Sequence, residues 1–198
     1  MSSETINYYN QNAAEFAAAT DQIDMTALYK VFLPLVKTGG LILDAGCGSG
    51  RDAAYFKHLG FNVSAFDASS ALAKIASQRL KQPVAVQQFE QLNDLEHYDG
   101  IWCCASLLHV ATDNLPSVFF RLQQALKPGA VIYASFKYGE GERELNGRRF
   151  TFMNEEKLKS LVATVSNLSI SKTWLTQDQR PERSQECWLN ALLFKDAI

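Results

Sequence analysis

The stretch that most constrains this chain is Leu41-Ile-Leu-Asp44-Ala-Gly46-Cys-Gly48-Ser-Gly50-Arg51-Asp52. Its apolar start reads as a short buried strand, which then breaks into a turn with glycine at alternate positions. After Ser49 the period becomes helical, with Ala53, Phe56 and Leu59 on one face. Glycine admits positive φ and lets a ligand approach main-chain N–H groups. A helix start adds unpaired donors and a partial positive charge. Such a turn suits the polar end of a nucleotide-like ligand.

The glycine spacing narrows the ligand. A dinucleotide fingerprint, G-x-G-x-x-G/A, needs a small residue at position 51. That position is Arg51, and the third glycine arrives one residue early, as Gly50. An anionic Asp44 at the turn favours a ligand carrying an ammonium and repels a pyrophosphate. On these residues the chain resembles the class I S-adenosylmethionine-dependent methyltransferases, whose first motif is similar to Leu43–Gly50. The resemblance implies S-adenosylmethionine as cofactor, held around Asp44, Gly46, Cys47, Gly48, Gly50 and Arg51. It also implies an α/β fold of the Rossmann-like, doubly wound kind: a mostly parallel seven-stranded sheet with the last strand antiparallel and helices on both faces. The plain alternative is an ordinary structural strand–turn–helix.

Phe61–Asp67 reads as a second strand ending in an acid about twenty residues past the turn, where a carboxylate accepts both hydroxyls of a ribose. Asp67 could instead cap the helix that follows Ser69-Ser70. In the family the residues next to such an acid, here Ala68, also border the cofactor. Pro83–Gln87 is a third strand, and the resemblance sets Gln88 and Phe89 beside the adenine, where many relatives have Asp-Ala. Tyr98–Ala105 is similar to the family's fourth motif, which implies that Cys104 and Ala105 border the cofactor and the methyl acceptor. The following Ser106–Val110 lacks the Asn/Asp-Pro-Pro-aromatic run of base-modifying amino-methyltransferases. It also lacks a Pro-Cys pair and the acidic pair of arginine-methylating relatives. No Asp, Glu or Lys stands between Asp99 and Asp113, which leaves His109 as the catalytic candidate. It is either a base titrating near pH 6–7 or a packed histidine in the turn.

Residues 4–19 and 25–36 read as two amphipathic helices, so that 1–38 form a helical cap over the cofactor, as in relatives. Tyr9 either closes the site or packs in the core. The fifth strand is 130–136. The polar, glycine-broken run 138–152 then reads as a substrate lid offering Tyr138, Arg143, Arg148 and Arg149, or else as a solvated loop. Strands 168–175 and 187–194 close the chain, joined by a polar connection over 176–186.

The 198 residues fit one domain. A net charge of −2 and short apolar runs favour neither nucleic acid nor membrane as partner. The four cysteines have no metal-ligand spacing and read as free thiols in a reducing cytoplasm, with no metal site. The expected activity is methyl transfer to a small molecule, with loose similarity to tellurite- and thiopurine-type methyltransferases. The alternatives are a non-catalytic S-adenosylmethionine-binding protein and a nicotinamide-dependent oxidoreductase.

Overall fold

A computed structural model describes residues 1–180, 183 and 185–197. The elements that build the main sheet and its flanks come in alternation. β1 (Leu41–Ala45) is followed by α4 (Arg51–His58), β2 (Asn62–Asp67) by α5 (Ser70–Leu80), and β3 (Ala85–Val86) by β4 (Tyr98–Cys103). Then come α6 (Leu115–Ala125), β5 (Leu126–Lys137), the hairpin β6 (Glu142–Leu145) and β7 (Arg148–Thr151), α7 (Glu155–Val162), β8 (Leu168–Gln177) and β9 (Cys187–Lys195). Three helices precede them: α1 (Ser3–Gln11), α2 (Ala13–Thr20) and α3 (Thr26–Phe32). The main sheet has seven strands in the order β3-β2-β1-β4-β5-β9-β8. β9 runs antiparallel to both of its neighbours, and the other pairings are parallel. This is the doubly wound α/β architecture expected from the alternation of elements.

Side-chain alternation divides the core between the two faces of the sheet. Leu43, Ile101, Cys103, Ile132 and Ala134 face α6 and α7, while Ile42, Trp102, Val131 and Tyr133 face α3 and α4. The neighbours Cys103 and Cys104 accordingly join opposite clusters. All four cysteines are free thiols. Among the described residues no helix is long and apolar enough to cross a membrane.

Several boundaries differ from the sequence reading. The first helix breaks at Asn12, whose backbone leaves helical angles (φ −112°, ψ 17°) while its side-chain amide donates to the Tyr8 carbonyl at 2.8 Å. The second helix ends at Phe32, because Pro34 follows and tightens the chain into a 3₁₀ turn. Leu59 lies past the end of α4 and is exposed. The polar run after β5 is not an open loop. It forms the two-residue hairpin β6–β7 around Asn146-Gly147, both at positive φ (52° and 70°), with Leu145 paired to Arg148.

Candidate active site

The carboxyl ends of β1, β2 and β4 open on one cleft, where an open α/β sheet binds its ligands. Gly46 leaves β1 with φ 75°, and a Cβ there would stand 2.5 Å from the Ser106 Cβ, so only glycine fits. The N–H groups of Gly46 and Cys47 both donate to the Phe66 carbonyl at 2.9 Å, which ties the turn to β2. Gly48, at φ 55°, brings its backbone against the Phe16 ring. Gly50 does not reach the cleft lining; it starts α4 and packs on Ala76.

Asp67 stands at the end of β2 with both carboxylate oxygens fixed. Oδ2 accepts from the Gly48 N–H and Oδ1 from the Ser69 N–H, each at 2.8 Å. Each oxygen keeps a lone pair for a further donor. The helix cap is supplied by Ser69 instead, whose hydroxyl accepts from the Leu72 N–H. Asp67 is 9% exposed, and its loss of water pushes its carboxyl up to about 6, against the two N–H bonds that hold it down.

Asp44 is deeper. Oδ2 accepts from the Ala53 N–H at 3.1 Å, and burial followed by the Asp52 charge raises its carboxyl well above the ordinary range. Asp52 anchors the other side of the turn. It accepts from the Tyr29 hydroxyl at 2.6 Å, the Arg51 Nε at 2.5 Å and the Trp102 Nε1 at 2.8 Å. Arg51 reaches further to the Thr20 carbonyl at 2.9 Å, so the turn and the end of α2 are clamped together.

Two adjoining cavities occupy the cleft. The smaller, about 50 Å³, is bordered by Asp67, Ala68, Gln88 and Phe89. The larger, about 330 Å³, is bordered by Asp44, Cys47, Arg51 and Cys104. Tyr9, Gly46, Gly48, Ala105 and His109 line both. Ala105 holds φ 50°, uncommon for a residue with a Cβ, and its N–H donates to the Ser135 hydroxyl at 2.8 Å.

His109 is buried, with a ring nitrogen bonded at each side. Nδ1 lies 2.7 Å from the Arg149 carbonyl, which can only accept, so Nδ1 carries the proton. Nε2 therefore accepts, and it takes the Tyr9 hydroxyl at 2.8 Å. Loss of water lowers the imidazole to about 4, the Arg149 carbonyl opposing and the Arg148 and Lys137 charges assisting. The expected acid limb at pH 6–7 thus does not belong to this group.

Of the four residues expected in a lid, Arg148 lines the larger cavity. Tyr138 is exposed outside it, and Arg143 stacks on Phe152 at 4.8 Å. Arg149 turns to Glu142 at 3.6 Å. The outer wall comes instead from segments to which the sequence reading assigned no site residue. Met25 and Leu28 enter from the α2–α3 side, and Asp178, Trp188 and Asn190 from the β8–β9 hairpin. Hydrogen bonds from Arg180 and Trp188 outweigh burial and hold the Asp178 carboxyl at about 2.

A family described as a methyltransferase domain matches residues 42–129, the span from β1 to the turn inside β5. A ubiquinone biosynthesis O-methyltransferase of Rickettsia bellii is 31% identical over 99 residues, 48% of this chain and 40% of that protein. A tRNA (carboxymethyluridine(34)-5-O)-methyltransferase of Arabidopsis thaliana is 34% identical over 117 residues, 56% of this chain and 27% of that protein. The chain thus spans less than half the length of these curated relatives. Over nearly its whole length (98% of this chain and 86% of the other) it superposes on the 1,6-didemethyltoxoflavin-N1-methyltransferase of Burkholderia thailandensis, with a TM-score of 0.77 and 21% identity. That structure holds 1,6-didemethyltoxoflavin and S-adenosylhomocysteine. Residues 42–129 thus match a methyltransferase domain, and the chain as a whole shares the fold of a solved methyltransferase that holds S-adenosylhomocysteine.

Proposed function

We propose that this chain transfers the methyl group of S-adenosylmethionine to a small-molecule acceptor in the larger cavity. The observation that carries the reading is Asp67, whose two oxygens are each pinned by one N–H and free to accept another at the edge of the smaller cavity. The site suits this cofactor on three further counts. Gly46 leaves a space that a Cβ would fill, Asp44 offers a buried carboxylate to an ammonium, and Phe89 borders the space beside Asp67. When bound, S-adenosylmethionine supplies a methyl on a sulfonium, a good leaving group, so positioning and exclusion of water are the main tasks left to the protein. Asp67 then accepts the ribose hydroxyls, with the glycine turn beneath. Tyr9 and Phe16, from the 1–38 cap, cover the passage between the two cavities. His109, with Nε2 taken up, serves to hold the Tyr9 hydroxyl in place rather than to collect a proton.

An acceptor space of about 330 Å³ and a net charge of −2 favour a small molecule over nucleic acid as acceptor, and a cytoplasmic setting accompanies that reading. Calorimetry with S-adenosylhomocysteine tests the cofactor assignment. Asp67→Ala removes a charge-assisted acceptor and weakens binding at least about tenfold. Unchanged affinity in a folded Asp67→Ala protein overturns the assignment. Tight binding with no methyl transfer to a broad acceptor panel supports a binding protein instead.

A further inference from the structure

Lys137 ends β5 and Arg148 begins β7, and both face the larger cavity. Both also stand by the ring of Phe150, the Lys137 Nζ 4.8 Å and the Arg148 guanidinium carbon 5.2 Å from its centroid. Arg148 stacks on Tyr8 as well, at 4.2 Å. Two cations brought to one partly dry wall are costly unless anions meet them. Lys137 has Glu186 at 2.7 Å. Among the described residues no carboxylate lies within 4.0 Å of the Arg148 nitrogens, and its buried Nε has no hydrogen-bond partner. An arginine with no carboxylate partner, held against two aromatic rings at a cavity wall, is suited to a planar oxyanion.

The rest of the cavity decides what carries that oxyanion. At the glycine turn Asp44, Arg51 and Asp52 line it, and Arg51 is already paired with Asp52, so no cation is left there for an anion. Met25, Leu28 and Trp188 add apolar surface. Resting on the methyltransferase reading above, we propose that the acceptor is a small carboxylic acid with an apolar body, its carboxylate docked on Arg148 beside Lys137. Arg148 and Lys137 at one end and the turn, without a free cation, at the other then set its direction, with the carboxylate away from the methyl donor's end and the apolar body between.

Paired probes test this on protein saturated with S-adenosylhomocysteine. Para-hydroxybenzoate and para-hydroxybenzamide differ in the anionic group alone, and ligand-observed NMR gives both affinities. The benzoate is expected to bind about tenfold more tightly than the benzamide. Arg148→Gln keeps the stem on Tyr8 and removes the charge, so the preference should fall to within about twofold; Lys137→Met should reduce it in part, and Arg148→Lys should retain most of it. Circular dichroism confirms that each variant is folded. Equal affinity of the two probes for the unaltered protein, no binding of the benzoate, or a preference surviving Arg148→Gln overturns the proposal. Saturation with S-adenosylhomocysteine is itself the control. If it fails, the methyltransferase reading falls; if it succeeds while the preference is missing, this inference falls alone.

Discussion

At the scale of single residues, the two titrating groups in the cleft separate by pH. Asp67 sits at about 6 and His109 at about 4, both through loss of water, which raises an acid and lowers a base. Below pH 6 Asp67 takes up a proton and loses acceptor capacity. Affinity for S-adenosylhomocysteine should therefore fall as pH drops through 6, with a slope approaching tenfold per pH unit. In Asp67→Asn, which cannot titrate, that part of the slope should vanish, while His109→Ala should keep it. Binding isotherms from pH 4.5 to 8 check this (a range of roughly three units around the titration). A slope that persists in Asp67→Asn and disappears in His109→Ala reverses the assignment. With its imidazole at about 4, His109 is neutral near pH 6–7, so its removal should act through Tyr9 and lower turnover without adding or deleting a limb there.

At the scale of elements, the β6–β7 hairpin does more than its exposed tip suggests. It carries Arg148 to the cavity wall, presents the Arg149 carbonyl to His109, and receives Thr5 of α1 through the Arg149 N–H at 3.0 Å. Thr151 then bonds the Val110 carbonyl at 2.6 Å, fixing the strand to the turn that bears His109. The whole arrangement depends on the register set by Asn146-Gly147. Gly147→Ala places a Cβ at φ 70° and should cost about 1 kcal/mol. Because the strain falls on the hairpin, acceptor KM should rise several-fold while the affinity for S-adenosylhomocysteine changes little. A variant that loses both equally would show that the hairpin supports the cofactor half too. The sequence carried the signal for this element, since Asn-Gly flanked by pairable residues is a strong hairpin mark. Reading 138–152 by its polarity and glycines hid it.

At the scale of the molecule, α3 packs into the core through Tyr29 and Phe32, whereas α1, α2 and the turn after them are fastened over the cleft by polar ties. Arg79 of α5 pairs with Asp21, its Nη1 at 2.9 Å from Oδ1, and Ser49 donates to the same carboxylate at 2.6 Å. Asn10 accepts from the Ser69 hydroxyl at 2.7 Å, and Arg51 holds the Thr20 carbonyl. Tyr9 and Phe16 line both cavities, so α1 and α2 border the path of a ligand that bridges them. Ties of this kind are worth little each and yield to salt. Asp21→Asn should therefore speed S-adenosylhomocysteine dissociation several-fold in stopped-flow measurements, with a smaller effect on thermal stability. Hydrogen exchange should show α1 and α2 slowed by the bound ligand. Unchanged dissociation and unprotected helices would mean that the cap takes no part in retention.

What the sequence by itself determined is local or periodic. The strand–turn–helix at 41–58, the acid at the end of β2 and the alternation of buried strands with amphipathic helices are written in neighbouring residues, and the strand order follows the family resemblance those residues carry. The tertiary structure alone decided what meets across long separations. Asp52 finds Tyr29 and Trp102, Tyr9 finds His109 a hundred residues on, and the closing β8–β9 hairpin supplies a wall of the larger cavity. It also decided which arginine of the hairpin faces inward, because on a strand neighbouring side chains point opposite ways and only packing against Tyr8 and Phe150 selects Arg148 over Arg149. The titration of Asp67 and His109 belongs to the same class, since loss of water is a property of the assembled core and not of any stretch of chain.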